Sequence, residues 1–393
     1  MIKKQSFASK QVERMTYVFL LTSLLLGRIV VSTLTHFSFL IPVPAKKKKD
    51  FLLFPYAHKD NSGTISRFQI YLPLLEKDNY TYDIDYLYQE KYFNELFFKN
   101  NTRTKQYLFY HTIFWRRLTK VISSRNYKAV FFHRSLFPEY YDQTFPYLER
   151  LLRKLNRNIT IDFFDAEYAR NKKLIDASVS YCDKVCVVNE HLYNYFSKIH
   201  PRVYYNNLAI NTTPYVTKTN YKNRSPENIF WTGSIFNSQN LKRILPVLEE
   251  LNNEIPLKLT MVCKTNGGFT NSFIEQKPWD EKTFYTLLAD VDIAIYPAFE
   301  DTEFARGKVA FKVLDYVAAK IPVVASPLGL SQNFENEKDV LVANNEAEWK
   351  ENIRRLIADE NLRKTLAENA YKKLLEFHSV EATYKNFLKI LLS

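Results

Sequence analysis

Residues 300–329, EDTEFARGKVAFKVLDYVAAKIPVVASPLG, carry the pattern on which the fold reading turns. A helix beginning near Lys308 puts Lys308, Lys312 and Asp315 at i, i+4 and i+7, one line along one face. Ala310, Phe311, Val313, Leu314, Val317 and Ala318 cover the rest of its circumference. A surface helix carries a broader polar face, so this one reads as buried on most sides with one narrow charged stripe. A short strand follows, and Gly307 and Gly329 stand where backbone comes close to a ligand, at a helix start and at a strand's carboxyl end. Lys308 and Lys312, with Arg306 and the amide dipoles of the helix start, make a field for an anion. Asp315, one turn further in, is placed to accept hydrogen bonds from a ribose. A nucleoside diphosphate fits that order of groups, and a Lys312–Asp315 ion pair with Lys308 in water is the plainer reading.

Outward from this stretch the chain alternates short β-rich runs with amphipathic ones. Strands are predicted at 51–56, 82–87, 129–132, 159–162, 184–188 and 203–205, with helices at 65–75, 105–123, 142–155 and 190–197. A polar segment with two prolines follows, and a second series begins. Its strands are predicted at 229–232, 257–263, 293–296, 322–326 and 340–342, and its helices at 241–251, 282–289, 308–319, 347–358, 361–377 and 380–391. Alternation of this kind builds parallel sheets covered by helices on both faces. The expected architecture is α/β, two doubly wound Rossmann-like domains facing across a cleft: 47–211, a linker at 212–226, 227–377, and a last helix at 378–393.

With 393 residues, 46% of them hydrophobic, the chain has ample material for two cores. Seven glycines are few, so each survivor marks a place where a side chain is not tolerated. Three scattered cysteines exclude a disulfide framework or a zinc site. The net charge of +13 is uneven, +17 over residues 1–225 and −4 beyond. A basic half suits nucleic acid, an anionic membrane surface or an anionic substrate. Residues 16–44 are apolar enough to span a bilayer, and Lys46, Lys47, Lys48 and Lys49 follow at once. The extension 1–46 is read as an anchor on the cytoplasmic face or a peripheral membrane helix. A signal peptide cleaved after Val43-Pro44-Ala45, a later natural start, and a core-packing helix are the competing readings.

The stretch Arg306, Gly307, Lys308, Lys312, Asp315, Tyr316, Ala318 and then IPVVASPLG (321–329) resembles the nucleotide-binding segment of family 4 retaining glycosyltransferases of the GT-B fold. The match is to the branch with the signature RGKxxxKxx[EQ]YMAxGxPVVASPxG. SRFQIYLPLLE (66–76), FFHR (131–134), DFFDA (162–166) and FWTGS (230–234) are similar to other parts of that fold. The resemblance implies transfer of a sugar from a nucleoside diphosphate sugar to a glycan or lipid-linked glycan, with retention and with neither metal nor cofactor. It implies that Arg306, Lys308 and Lys312 act on the leaving diphosphate and that Gly233, Ser234, Gly307, Asp315, Ser326, Gly329 and Leu330 hold the donor. It also implies that the last helix crosses back to the first domain, and that the basic half takes the acceptor at an anionic membrane surface. The family's two carboxylates, eight residues apart, fall at Gly307 and Asp315, leaving Glu303 or Asp301 as substitutes for the first. Ser234 and Gln239 stand where many relatives carry Arg and Lys, and Lys320 stands where the signature has Gly.

His58, Ser62, Gly63, Arg67, His133 and Arg134 follow the first-domain strands and are candidates for the acceptor side of the cleft. Asp83-Ile84-Asp85 and Asp290-Val291-Asp292 have the D-x-D form of a metal motif, but each adjoins a strand, where it arises easily by chance. The rival readings are a GT-B scaffold that has lost catalysis, a sugar-nucleotide epimerase of the same fold, and a basic nucleic-acid-binding protein. The last is disfavoured because the tight lysine run abuts an apolar segment; the leading reading takes no nucleic-acid partner.

Overall fold

The computed structural model describes residues 7–42, 44–89, 102–138, 145–265 and 267–393. The start of the helix expected at 142–155 lies outside them, as does Val43 of the cleavage-site reading. The first sheet contains β1 (Lys49–Phe54), β2 (Tyr82–Ile84), β3 (Tyr127–His133), β4 (Ile159–Phe163), β5 (Lys184–Val187) and β6 (Val203–Tyr205), ordered β2-β1-β3-β4-β5-β6. The second contains β7 (Glu227–Thr232), β8 (Leu257–Cys263), β9 (Ile274–Pro278), β10 (Ile293–Tyr296), β11 (Val323–Ala325) and β12 (Leu341–Val342), ordered β12-β11-β10-β7-β8-β9. Every pairing among these strands is parallel. Parallel strands are covered on both faces, so they read as unbroken apolar runs; Phe51 to Phe54 are all fully buried. Strand order reverses between β1 and β3 in one sheet and between β7 and β10 in the other, which opens a crevice at the carboxyl ends of those strands.

The helices of the first half are α1 (Phe7–His36), α2 (Ser62–Arg67), α3 (Leu72–Lys77), α4 (Arg103–Ser123), α5 (Tyr147–Leu155), α6 (Tyr168–Ser180) and α7 (Glu190–Phe196). Those of the second are α8 (Ser238–Glu254), α9 (Glu281–Ala289), α10 (Glu303–Arg306), α11 (Phe311–Ala318), α12 (Glu346–Ala358), α13 (Glu360–Phe377) and α14 (Val380–Leu392). Four departures from the sequence reading have physical causes. The helix expected over 65–75 is two helices, because Pro73 opens a new first turn. The helix expected from Lys308 breaks at residues 307–310, where the Ala310 amide donates to the Gly329 carbonyl at 2.7 Å and turns the chain. Strand β9, sequence IEQKP, was not anticipated because an edge strand need not alternate. Helix α6 was hidden by its mixed sequence, YARNKKLIDASVS.

The segment between the sheets is held on the second domain. Lys218 pairs with Asp292 at 3.0 Å, Arg224 with Asp290 at 2.6 Å and with Asp292, and Tyr221 donates to the Lys320 carbonyl at 3.0 Å. One D-x-D pair is thus occupied by cations, and in the other Asp83 pairs with Lys49 while Asp85 pairs with Arg116 and Arg117. The final helix α14 lies on the first sheet: Phe387 stacks on Tyr71 at 4.7 Å and meets Phe131 edge-on at 5.0 Å. Asn158 donates to the Leu391 carbonyl at 2.8 Å.

Lys320, where the resembled signature has glycine, adopts φ of 56° just after α11. Left-handed backbone costs a residue with a Cβ about 1–2 kcal/mol, part of which is offset by the chain entropy that glycine loses on folding. Lys320→Gly is therefore expected to raise unfolding free energy by about 0.5–1 kcal/mol, measured by urea denaturation.

Candidate active site

The carboxyl ends of the central strands of the second sheet gather beside α11. Gly233 follows β7, Tyr296 ends β10, and Ser326 follows β11. The Ser326 hydroxyl accepts from the Ala298 amide at 2.9 Å and its own amide donates to the Tyr296 carbonyl at 2.9 Å, tying two strand ends together. Gly329, at φ of 77°, turns the chain so that its carbonyl meets Ala310, and Leu330 closes that turn through the Pro327 carbonyl. No side chain caps α11. Its Phe311 and Val313 amides are taken up locally, by the Val309 carbonyl at 2.9 Å and the Ala310 carbonyl at 3.0 Å. Tyr316, fully buried, accepts from the Thr232 amide at 3.1 Å and fixes α11 to the end of β7.

Lys312 sits in the first turn of α11, its ammonium 5.6 Å from the centre of the Trp231 ring and beside Gly233. Burial pushes it down to about 8 against the opposing pull of Asp315. Asp315 is recessed, and burial pushes its carboxyl up to about 7 although a hydrogen bond from Tyr215 and the charge of Lys312 act the other way. Tyr215 belongs to the interdomain segment and was not anticipated; a polar linker gives no sign of which tyrosine will turn inward. A cavity of about 240 Å³ adjoins Cys263 and is lined also by Lys264, Thr265, Gln276 and Lys277.

The remaining donor candidates are not all drawn to Lys312. Lys308 precedes α11 instead of lying on it, and its ammonium rests over the Phe304 ring at 4.8 Å. It is still close enough to Lys312 to disfavour a second positive charge there. Arg306 is exposed and makes a two-pronged pair with Asp301, at 2.7 and 2.8 Å. Ser234 is exposed at the mouth. Gly307 meets the other domain: a Cβ there would stand 2.5 Å from the Ala166 backbone nitrogen. The carboxylate of the resembled pattern would have no room at this position. Glu303 is engaged across the cleft, accepting from Tyr168 at 2.7 Å and lying 3.0 Å from the His191 ring nitrogen. Asn189 adds bonds to the Arg306 and Lys308 carbonyls at 3.2 Å each.

On the first domain Arg67 and His133 are drawn into one buried network around Asp162. Arg67 is fully buried, bonded through two nitrogens to Asp162 and to the Asn206 carbonyl at 2.6 Å. His133 is buried too. Its Nδ1 lies 3.0 Å from Asp162 and its Nε2 accepts from Arg134 at 2.8 Å, which defines a neutral ring donating to the carboxylate. Arg67 ties α2 to β4 and to the chain after β6, and His133 ties the end of β3 to β4. Arg134, at φ of 61°, sits at the rim in ion pairs with Asp165 and Glu167. Ser62 is exposed and Gly63 half-buried in the turn capped by Asn61, while His58 is buried against the Tyr88 ring. Among the described residues no three His, Cys, Asp or Glu side chains converge to hold a metal ion.

Comparison with known proteins places this geometry. Residues 244–389 match the family model described as "Glycosyl transferase-like". A glycosyltransferase from Rickettsia africae superposes with a TM-score of 0.65 at 15% identity, over 88% of this chain and 98% of that one. The fold is GT-B. Sucrose-phosphate synthase from Thermosynechococcus elongatus is similar at a TM-score of 0.61 and 12% identity, over 87% of this chain and 98% of that one. HepE from Anabaena, in complex with UDP and glucose, gives 0.58 and 11%, over 88% and 100%. No curated protein matches the sequence.

Two outcomes are expected. Gly307→Ala forces the α10 segment off Ala166 and lowers both the melting temperature and any donor binding, read by thermal shift. His133 is held down to about 4 by burial, with Arg134 and Arg67 adding to the effect against the pull of Asp162, whereas an unfolded histidine titrates near 6.5. The unfolded chain therefore binds more protons between these values, so the stabilisation is complete above about pH 6.5 and is lost as pH falls toward 4. His378, held down to about 4 by burial, acts in the same direction. His133→Gln should flatten the decline of stability over that interval by about 3 kcal/mol, measured by denaturation as a function of pH.

Proposed function

We propose that this protein is a glycosyltransferase that moves a sugar from a nucleoside diphosphate sugar to a hydroxyl of a glycan or lipid-linked glycan. The observation that carries the reading is the Lys312–Asp315 pair at an uncapped helix start, where the second sheet reverses strand order. Burial weakens the charged form of both groups, pushing Lys312 down to about 8 and Asp315 up to about 7. A diphosphate at the start of α11 supplies negative charge to Lys312 and restores its proton. A ribose supplies hydroxyl donors to Asp315, whose ionised form accepts them. The base then extends toward the cavity beside Cys263. The UDP in the HepE complex and the glycosyltransferase description over 244–389 support the same donor class.

In the transfer step, breakage of the sugar–phosphate bond places charge on the leaving diphosphate. Lys312, held in the first turn of α11, is placed to stabilise it, the largest contribution such a site can make. Lys308 adds to the field from the mouth of the pocket, and Arg306 contributes once it leaves Asp301. The acceptor hydroxyl enters from the first domain, between the 58–63 loop and Arg134. Because His133 has both ring nitrogens engaged, it is not the base that receives the hydroxyl proton. With no carboxylate able to stand at 307, the leaving phosphate itself takes that proton in a front-face reaction, which retains configuration. The pathway is synthesis of a cell-surface polysaccharide or glycolipid.

UDP or GDP should stabilise the protein in a thermal-shift experiment. Lys312→Ala and Asp315→Ala should each lower donor affinity and transfer by about a hundredfold, the loss of an interaction worth about 3 kcal/mol, with circular dichroism unchanged. Donor affinity of the unaltered protein should fall as pH rises through about 8, where unliganded Lys312 loses its proton. Product mass spectrometry across sugar nucleotides identifies the sugar. Full turnover by both variants would refute the assignment of the site, and a shift by no nucleotide would favour a scaffold.

A further inference from the structure

Helix α1 is the longest among the described residues, and its two sides are unlike. One side is packed along the first domain: Leu20, Leu24 and Val31 are buried, the Tyr17 and Tyr107 rings meet edge-on at 4.8 Å, and the Trp115 indole donates to Ser23 at 3.2 Å. Gly27 leaves room for the Phe114 ring. The other side faces outward and is apolar. Phe19 is 64% exposed, Leu26 54%, Ile29 61% and Phe39, just beyond the helix, 76%. A solvated helix of this length carries charge on its outer face. Here Arg28 is the one fully charged residue between Arg14 and Lys46, and it turns toward the protein, 5.4 Å from the centre of the Tyr147 ring. The exposed Thr16 and Thr22 bond their hydroxyls back to the Val12 and Val18 carbonyls at 2.9 Å, so the polar positions in the first half of the strip are satisfied within the helix. Exposed cations stand at both ends of the strip, Lys10 and Arg14 before it and Lys46 and Lys48 after it.

Apolar residues rimmed by cations fit the boundary between acyl chains and anionic headgroups. We infer that the outer face of α1 seats the protein on one leaflet of an anionic bilayer, with the helix in the membrane plane and not across it. Crossing would strip α1 from α4 and α5 and expose the buried Leu20, Leu24 and Val31. The direction of the helix gives this surface a bearing on the site. Helix α4 ends four residues before β3 begins, so its 21-residue length, about 31 Å, carries its start to the carboxyl end of the first sheet. Helix α1 runs alongside in the same sense, with Thr104 bonded to the Glu13 carbonyl at 3.4 Å and Tyr17 beside Tyr107. Its Lys10–Arg14 end therefore lies at the rim of the cleft. A membrane under α1 brings that rim to the headgroups, where a lipid-linked acceptor presents its sugar; this last step rests on the sugar-transfer reading, while the docking does not.

The test uses the full chain. It should float with phosphatidylcholine vesicles containing phosphatidylglycerol, and up to about a thousandfold more weakly with phosphatidylcholine alone, since each of the four exposed cations contributes about 1 kcal/mol. Phe19→Glu, Leu26→Glu and Ile29→Glu combined should abolish flotation while circular dichroism and the nucleotide-dependent thermal shift are retained. That shift is an independent readout, so failure of docking and failure of the donor site are distinguishable. In sealed membrane vesicles from expressing cells, Lys10→Cys and Lys46→Cys should both react with an impermeant maleimide from the same side; the native cysteines are buried. The inference is overturned if the unaltered protein fails to bind anionic vesicles, if the triple variant still floats, or if the two engineered cysteines label from opposite sides. A dimer that the triple variant dissociates, without vesicle binding, would assign the face to a second copy instead.

Discussion

The cleft geometry depends on the approach of residue 307 to Ala166. Two parallel sheets can face one another at many separations, and what fixes this one is a backbone contact that leaves no room for a Cβ. Around it the first domain grips the 302–308 segment by Tyr168 and His191 on Glu303, by Asn189 on two carbonyls, and by Arg170 over the Phe304 ring at 3.9 Å. These polar links are part-exposed and individually weak. They are directional, however, and they all act on the segment that leads directly into α11. The loss of a carboxylate at 307 relative to the resembled pattern is thus coupled to a close domain contact.

The same contact determines which charges are available for chemistry. Arg306 and Glu303 are satisfied within the segment or across the cleft, so neither is poised toward the pocket. Lys312 and Asp315 are different. Each is shifted toward neutrality mainly by burial, and each is pulled only partway back by its neighbours. Groups desolvated without full compensation are characteristic of ligand sites, whereas a structural ion pair is compensated internally. Asp162, by comparison, is equally buried yet held down to about 2, because Arg67 and His133 outweigh its desolvation. The two carboxylates differ in compensation: Asp162 is neutralised by its partners, and Asp315 only in part.

The alternation of apolar runs and helical periods was legible because parallel strands are buried on both faces, and every strand but the edge strand β9 could be written down from residue type. The stripe around Lys312 and Asp315 was legible for the same reason: an otherwise apolar helix makes its polar positions conspicuous. What the sequence hid depends on long-range pairing. Arg67 and His133 look like rim residues because they follow strand ends, but Asp162, 95 residues from Arg67, draws both inward. Tyr215, Asn189 and Tyr168 belong to segments with no motif and acquire their roles only when the domains meet. The placement of Lys308 off the helix followed from one hydrogen bond, Ala310 to Gly329, that no periodicity encodes.

The uneven charge takes on a different meaning once the cations are located. In the first domain Arg67 and Arg117 are fully buried with carboxylate partners, and Lys184 is buried against the carbonyls that end α14. These residues make internal contacts and contribute nothing to a field felt by a partner. The surplus of +17 over residues 1–225 must then be carried by exposed side chains, among them the groups that bracket the apolar strip of α1. A basic surface beside neutral, self-bonded helix face is poorly suited to a soluble polyanion, which would gain charge contacts but leave the apolar strip in water. An anionic bilayer satisfies both features at once, since headgroups neutralise the rim while acyl chains cover the strip. The composition of the first half and the orientation of α1 therefore describe one surface, and it adjoins the end of the first sheet where the acceptor would enter.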